Sequence, residues 1–327
     1  MNSSTVQRFH PCVPARIATR VQRAGRWAVA VLSVWMLVGC GDPMAGSVSC
    51  MSDDGCLSGD AVRCVSGACV VPRCPAGSRY VPGGHFVQGC SPSETDCTTE
   101  SQPAHVVVLS SGFCLAETEV TVADYRRCLS SGRCLSPAAP ETVNSLRCSG
   151  DRATWTAAGD GDESLPMSCL LWGEATAACS FVGGRLPTEA EWERAARGRD
   201  DRPFAWGRMP PSSCDQGVNF GGAGCAALPW SAVPTDRDGA MARGAFGQVD
   251  LAGNLSEWVA DYFDAGAYGN CAGNCQDPRG PAQGLVRVRR GGTFLSPAAE
   301  LRSYAREFHR PDGPRSDLIG VRCAFAP

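Results

Sequence analysis

At 327 residues, with 43% hydrophobic and 19% charged side chains, the chain is long enough to bury a sizeable core, and its composition excludes a wholly disordered polymer. All thirty basic residues are arginine, and the absence of lysine excludes Schiff-base chemistry and a lysine-bearing phosphate loop. The first 39 residues hold five arginines and no acid, so 25 arginines face 33 acidic residues in the remainder; that net charge of −8 excludes nucleic acid as a natural partner.

Arg16, Arg20, Arg23 and Arg26 precede an apolar run from Trp27 to Val38. The run is too short for a hydrocarbon layer of ~30 Å and suits the core of a signal peptide, residues 1–39. It ends in Leu37-Val38-Gly39-Cys40, which resembles the lipobox of bacterial lipoproteins. The resemblance implies export, acylation of Cys40 and a lipid anchor in a membrane, each buried methylene adding ~0.8 kcal/mol. Of twenty cysteines, Cys12 lies in the leader and Cys40 takes the lipid; the other eighteen, an even number in an oxidising compartment, point to disulfides. Zinc at Cys271 and Cys275 is the rival reading, weakened by the lack of a second nearby pair and by few histidines. Residues 40–73 carry Cys50, Cys56, Cys64 and Cys69 and form a bridge-held spacer or small contact module.

From Cys74 the pattern changes. Tyr80 to Val87 alternates around a glycine turn and His105 to Leu109 is a β-branched run, so both read as strands. Thr121 and Asp124 form a capping box that opens a helix toward Ser131, stopped by Gly132. Leu170 to Val182 has helical spacing and stops at Gly183-Gly184; Thr188 caps a further helix that ends at Gly198. Short strands are expected at Leu285 to Arg289 and Ile319 to Phe325. The fold class is therefore α+β, loop-rich and disulfide-stapled.

Several blocks then suggest a family. Gly184-Arg185-Leu186-Pro187-Thr188-Glu189-Ala190-Glu191-Trp192 is followed by Gly253-Asn254-Leu255-Ser256-Glu257-Trp258, Arg290-Gly291-Gly292-Thr293-Phe294 and Gly320-Val321-Arg322-Cys323. With Val81-Pro82-Gly83-Gly84-His85-Phe86, they make residues 74–327 resemble the formylglycine-generating enzyme, or sulfatase-modifying factor, domain. The resemblance implies a C-type-lectin-like variant fold and a bridge between Cys179 and Cys323. It also implies structural calcium at Asp250 and Glu257 by side chain and at Gly253 and Leu255 by carbonyl, with a second site starting at Asn219. Pairing of Glu257 with an arginine is the alternative. Proximity in sequence suggests the bridges Cys90–Cys97, Cys128–Cys134, Cys148–Cys169, Cys214–Cys225 and Cys271–Cys275.

The family's oxidase chemistry needs two copper-binding cysteines between the Gly-Gly block and the final Gly-x-Arg. No cysteine occurs from Gln276 through Arg322; Ser296 and Leu301 fall near the expected positions, so no copper is expected. His85, His105 and His309 are scattered without metal-ligand spacing. The first functional expectation is therefore a non-catalytic recognition or structural module of the cell envelope, meeting a protein, peptide or glycan. Ser296, Arg302, Tyr304, Arg306 and Phe308 are its candidate contacts, unless Arg302 and Arg306 brace the loop by pairing with Asp312 or Asp317. The alternatives are a formylglycine-generating oxidase and an accessory factor of a sulfatase or kinase pathway.

Overall fold

The computed structural model describes residues 63–327, except 71, 92, 95, 138–147, 149–152, 157, 158, 160, 212–219, 222–242 and 272–274. Cys12, Cys40, Cys50, Cys56, Asn219 and the expected Cys214–Cys225 bridge lie outside the described residues. A hairpin of β1 (Arg63–Val65) and β2 (Ala68–Val70) comes first, with Cys64 facing Cys69 and both disulfide-bonded. Ser66 and Gly67 both take positive φ, the two-residue turn whose twist matches that of its strands.

The expected alternation of residues 80–87 divides into β3 (Ser78–Val81) and β4 (Gly84–Gln88). Gly83 lies between them because a Cβ there would come 2.7 Å from the Leu109 carbonyl oxygen. Next come β5 (His105–Leu109), as expected, and β6 (Phe113–Ala116), whose continuous apolar run carries no alternation to announce it. Three helices then follow, α1 (Val122–Ser130) and α3 (Glu189–Arg197) at the expected capping boxes and α2 (Trp172–Phe181) within the stretch of helical spacing. In α1 the Asp124 N–H donates to Thr121 Oγ1 at 3.1 Å and the Thr121 N–H to Asp124 Oδ2 at 3.1 Å. Thr188 and Glu191 repeat the exchange in α3, which ends at Gly198 with φ +68°. The chain continues through β7 (Ser256–Tyr262), α4 (Ala267–Asn270), β8 (Cys275–Gln276), β9 (Arg287–Arg290), β10 (Glu307–His309), β11 (Ile319–Val321) and β12 (Ala324–Phe325).

Larger sheets are built from strands distant in sequence. One has the order β10-β9-β7-β11, with β11 parallel to β7; a second is β12-β6-β3; a third is β4-β5-β8, with β8 parallel to β5. Helix α3 packs against β4, β7 and β9, and its Trp192, Ala195 and Ala196 join Phe86, Val107, Leu115, Val259 and Val288 in one core. Tyr125 and Val122 of α1 and Ala175 and Cys179 of α2 form another core with Trp258, Ile319 and Val321. The Cys179–Cys323 bridge ties α2 to the end of the chain, as the family resemblance implied. Bridges 90–97, 128–134, 148–169 and 271–275 are formed as proximity suggested, and Cys74–Cys114 adds one that proximity could not propose.

An acidic cavity over an arginine-braced floor

A cavity of about 340 Å³ opens where the start of β5, the first turn of α3, the end of β7 and helix α4 meet. His105, Glu189, Asp261, Asp264, Tyr268 and Cys271 help to line it. The Asp261 Oδ2 atom accepts the Glu189 N–H at 2.7 Å, so this carboxyl caps the open end of α3. Burial first, and then the neighbouring Glu189 carboxylate, push the Asp261 carboxyl up to about 7.

Glu189 itself behaves in the opposite way. Burial opposes its ionisation, but Arg306 and Arg290 outweigh that and hold its carboxyl below the usual range. Arg306 donates from Nε and Nη2 to the two Glu189 oxygens at 2.7 and 2.9 Å, while Arg290 spans Glu189 at 2.8 Å and Glu193 at 2.7 Å. The Tyr268 hydroxyl donates toward the same two carboxylates at 3.3 and 3.2 Å; burial and then their charges push its phenol well up. The floor is thus a set of matched charges, and Asp261 is an acid left to hold a proton near neutral pH.

The sequence blocks that suggested a family lock one another in place. The Trp192 indole N–H donates to Glu257 Oε2 at 2.7 Å, and Arg322 donates to Glu257 Oε1 from Nε at 2.9 Å and from Nη2 at 2.7 Å. Arg322 also reaches the carbonyls of Ala116, Glu117 and Val249. Arg194 of α3 donates to the carbonyls of Pro82, Gly83 and His85, which fastens the Val-Pro-Gly-Gly turn to the helix. Asn254, at φ +57°, donates from Nδ2 to Glu119 at 2.7 Å. Burial, then Asp250 and Glu257, push the Glu119 carboxyl well above its ordinary value.

A scan against family models matches the sulfatase-modifying factor enzyme 1-like domain across residues 71–327. A curated formylglycine-generating enzyme of Streptomyces coelicolor is 31% identical over 300 residues, covering 77% of this chain and 90% of that one. This chain belongs to the sulfatase-modifying factor family. The formylglycine-generating enzyme of Thermomonospora curvata is 34% identical over 179 residues, so the match spans 50% of this chain and 56% of that enzyme. Among solved structures, PvdO from Pseudomonas aeruginosa superposes with a TM-score of 0.62 over 76% of this chain and 94% of its own at 21% identity, a likeness of fold.

Membership in the sulfatase-modifying factor family gives the motif-derived positions their meaning. Ser296 is buried, and its hydroxyl accepts the Thr293 N–H at 3.0 Å inside a tight turn. Leu301 is 1% exposed and packs with Phe204, Phe220 and Ala252. Near the positions that the resemblance implies for copper-binding thiols lie a turn hydroxyl and a packed aliphatic side chain.

The proposed contact loop is corrected on two counts. Tyr304 is 1% exposed and Arg306 8%, so with Ser296 they form interior, while Phe308 is half exposed and rests on Phe263 with ring centroids 4.4 Å apart. Both arginines do brace the loop, but through Asp96 for Arg302, at 2.6 Å, and through Glu189 for Arg306, not through Asp312 or Asp317. Those acids are near in sequence; the actual partners are brought in from distant elements by packing.

Of the donor set expected for calcium, the Glu257 carboxylate is already engaged. Both Glu257 oxygens already accept buried guanidinium or indole donors, and the positive charge beside them is Arg322, the arginine pairing that stood as the alternative. Asp250 lies at φ +56° in the same charged neighbourhood as Glu119 and Arg322. The cavity residues His105, Asp261 and Tyr268 escaped sequence reasoning because they lie far apart in the chain. Asp261 was the available signal: an acid directly after the apolar run Trp258-Val259-Ala260 of β7.

Proposed function

We propose that this chain is an exported lipoprotein, anchored through Cys40, whose sulfatase-modifying factor domain recognises a ligand and does not oxidise cysteine to formylglycine. The observation that carries this reading is that no cysteine occurs from Gln276 through Arg322, the segment in which the family's copper-binding pair is expected. Near the expected positions, Leu301 has no lone pair for a soft monovalent metal and is packed in an apolar cluster, and Ser296 offers a hard oxygen already engaged in a turn. The similarity to formylglycine-generating enzymes supports a shared scaffold, and fold alone does not carry a reaction with it.

Recognition is better supported at the acidic cavity than at the loop of residues 296–310, because Arg302 and Arg306 are spent on Asp96 and Glu189. Asp261 and Asp264 flank an opening of about 340 Å³, which suits a hydrogen-bond-donating or cationic group of a peptide or glycan. The deciding experiment incubates residues 40–327, loaded with Cu(I), with oxygen and a sulfatase-type cysteine peptide, and reads the aldehyde by mass spectrometry. No aldehyde above the peptide-alone control is expected. Turnover that survives removal of contaminating enzyme would overturn the reading.

A further inference from the structure

Among the described residues, one group of three potential metal donors stands together: His105 Nε2 or Nδ1, Cys271 Sγ and Cys275 Sγ, all within 4.8 Å of one another. The fold brings them from separate places. His105 opens β5, Cys271 follows α4, and Cys275 starts β8, which lies beside β5 with Cys275 opposite Val107.

Histidine 105 is oriented as a ligand would be. Its Nδ1 lies 3.1 Å from the Pro103 carbonyl oxygen, which fixes the proton there and leaves Nε2 as the lone-pair nitrogen. The residue is 9% exposed, its ring rests against Tyr268 at 4.7 Å between centroids, and its Nε2 atom is buried without a hydrogen-bond partner. A buried imidazole nitrogen left unsatisfied, on a ring that stands near two sulfurs, is unusual unless something can bind it.

The sulfurs are joined as a disulfide here, and that bridge does little as a staple. It spans a sequence separation of 4, against 144 for Cys179–Cys323, and loop-entropy stabilisation grows with loop length. Cys271 and Cys275 are both half-buried, as are Cys64 and Cys69, whereas each of the bridges 74–114, 90–97, 128–134, 148–169 and 179–323 has at least one fully buried cysteine. A reductant therefore meets this bridge more readily than those.

We propose that reduction of Cys271–Cys275 creates a binding site for one thiophilic d10 metal ion, Cu(I) or Zn(II), held by the two thiolates and His105 Nε2. A dithiol reductant supplies two electrons and two protons, the S–S bond breaks to two thiols, and the reductant becomes its own disulfide. Metal binding then displaces the two thiol protons. Two soft sulfurs and one imidazole satisfy a trigonal Cu(I), or a tetrahedral Zn(II) with water in the fourth position. The cavity shared with His105 and Cys271 opens the site to an ion from outside. Ser296 and Leu301 do not line this cavity, so the site is independent of the oxidase question and restores none of that chemistry.

The test uses residues 40–327, reduced anaerobically with a limiting dithiol and titrated in separate arms with Cu(I) and Zn(II), each buffered by a chromophoric chelator. Peptide mass spectrometry after alkylation identifies the cysteines that opened and those the metal protects. One equivalent of metal is expected, with protection of Cys271 and Cys275; the arm that competes better with its chelator identifies the ion. Binding should weaken about 100-fold or more in His105→Ala, beyond the ~10–100-fold typical of second-shell changes. The oxidised chain and the Cys271→Ser/Cys275→Ser variant should bind no stoichiometric metal. Prior opening of another bridge, protection of other cysteines, or unchanged affinity in His105→Ala each overturns the proposal.

Discussion

Asp261 concentrates the acid–base behaviour of the cavity in one side chain. Its unfolded value is ~3.9 and its folded value about 7, so the folded chain holds the proton more tightly than the unfolded one. For an acid shifted upward, the stability linked to that proton is present at low pH and is lost as pH rises from about 4 through 7. Asp261→Asn keeps an oxygen to accept the Glu189 N–H and removes the ionisation. We expect the variant to gain on the wild type between pH 5 and pH 8, by up to about 3 kcal/mol, since roughly two of the three pKa units of linkage fall in that window at ~1.4 kcal/mol each. Urea denaturation at both pH values checks this, and a pH-independent difference contradicts it. Arg306 behaves differently: its guanidinium is buried against Glu189, so it belongs to the foundation of the cavity and not to its contact surface.

At the scale of elements, the family's sequence blocks read as fasteners. Glu257 on β7 receives donors from Trp192 on α3 and from Arg322 just past β11, and Arg322 reaches on to the carbonyls that follow β6. Breaking one side of a buried pair leaves the other charge uncompensated, at a cost of about 3–5 kcal/mol. Glu257→Gln is therefore expected to lower the free energy of unfolding by roughly that amount, while calcium chelation leaves the wild-type midpoint unchanged. A chelator that lowered the wild-type midpoint as far as the substitution does would return the neutralising role to the metal. The helices were legible for a local reason: Thr121 with Asp124, and Thr188 with Glu191, satisfy backbone groups within one turn. Strand β6 was not legible, because Phe113 to Ala116 is buried on both sides and has no period-2 pattern.

For the molecule as a whole, the question is where it is held. The lipobox resemblance at Leu37 to Cys40 predicts that Cys40→Ser removes the acyl mass from the mature chain and releases the protein from the membrane fraction into the soluble fraction. Detection of an unacylated, membrane-retained wild type would contradict the anchor. The described bridges, from Cys74–Cys114 to Cys179–Cys323, suit a domain that works in an oxidising compartment.

The sequence by itself determined family membership, the helices α1 to α3, the lack of any cysteine from Gln276 through Arg322, and four bridges between neighbouring cysteines. Each depends on residue identity or on contacts within a few positions, where chain geometry leaves few choices. Tertiary structure alone decided that Glu189 takes Arg290 and Arg306, that Glu257 takes Arg322, and that His105 meets Cys271 and Cys275. Thirty arginines and 33 acids permit very many pairings, and the linear order does not rank them. Only the packing of sheets and α3 excludes water from a particular set, and burial is what makes those particular partners obligatory.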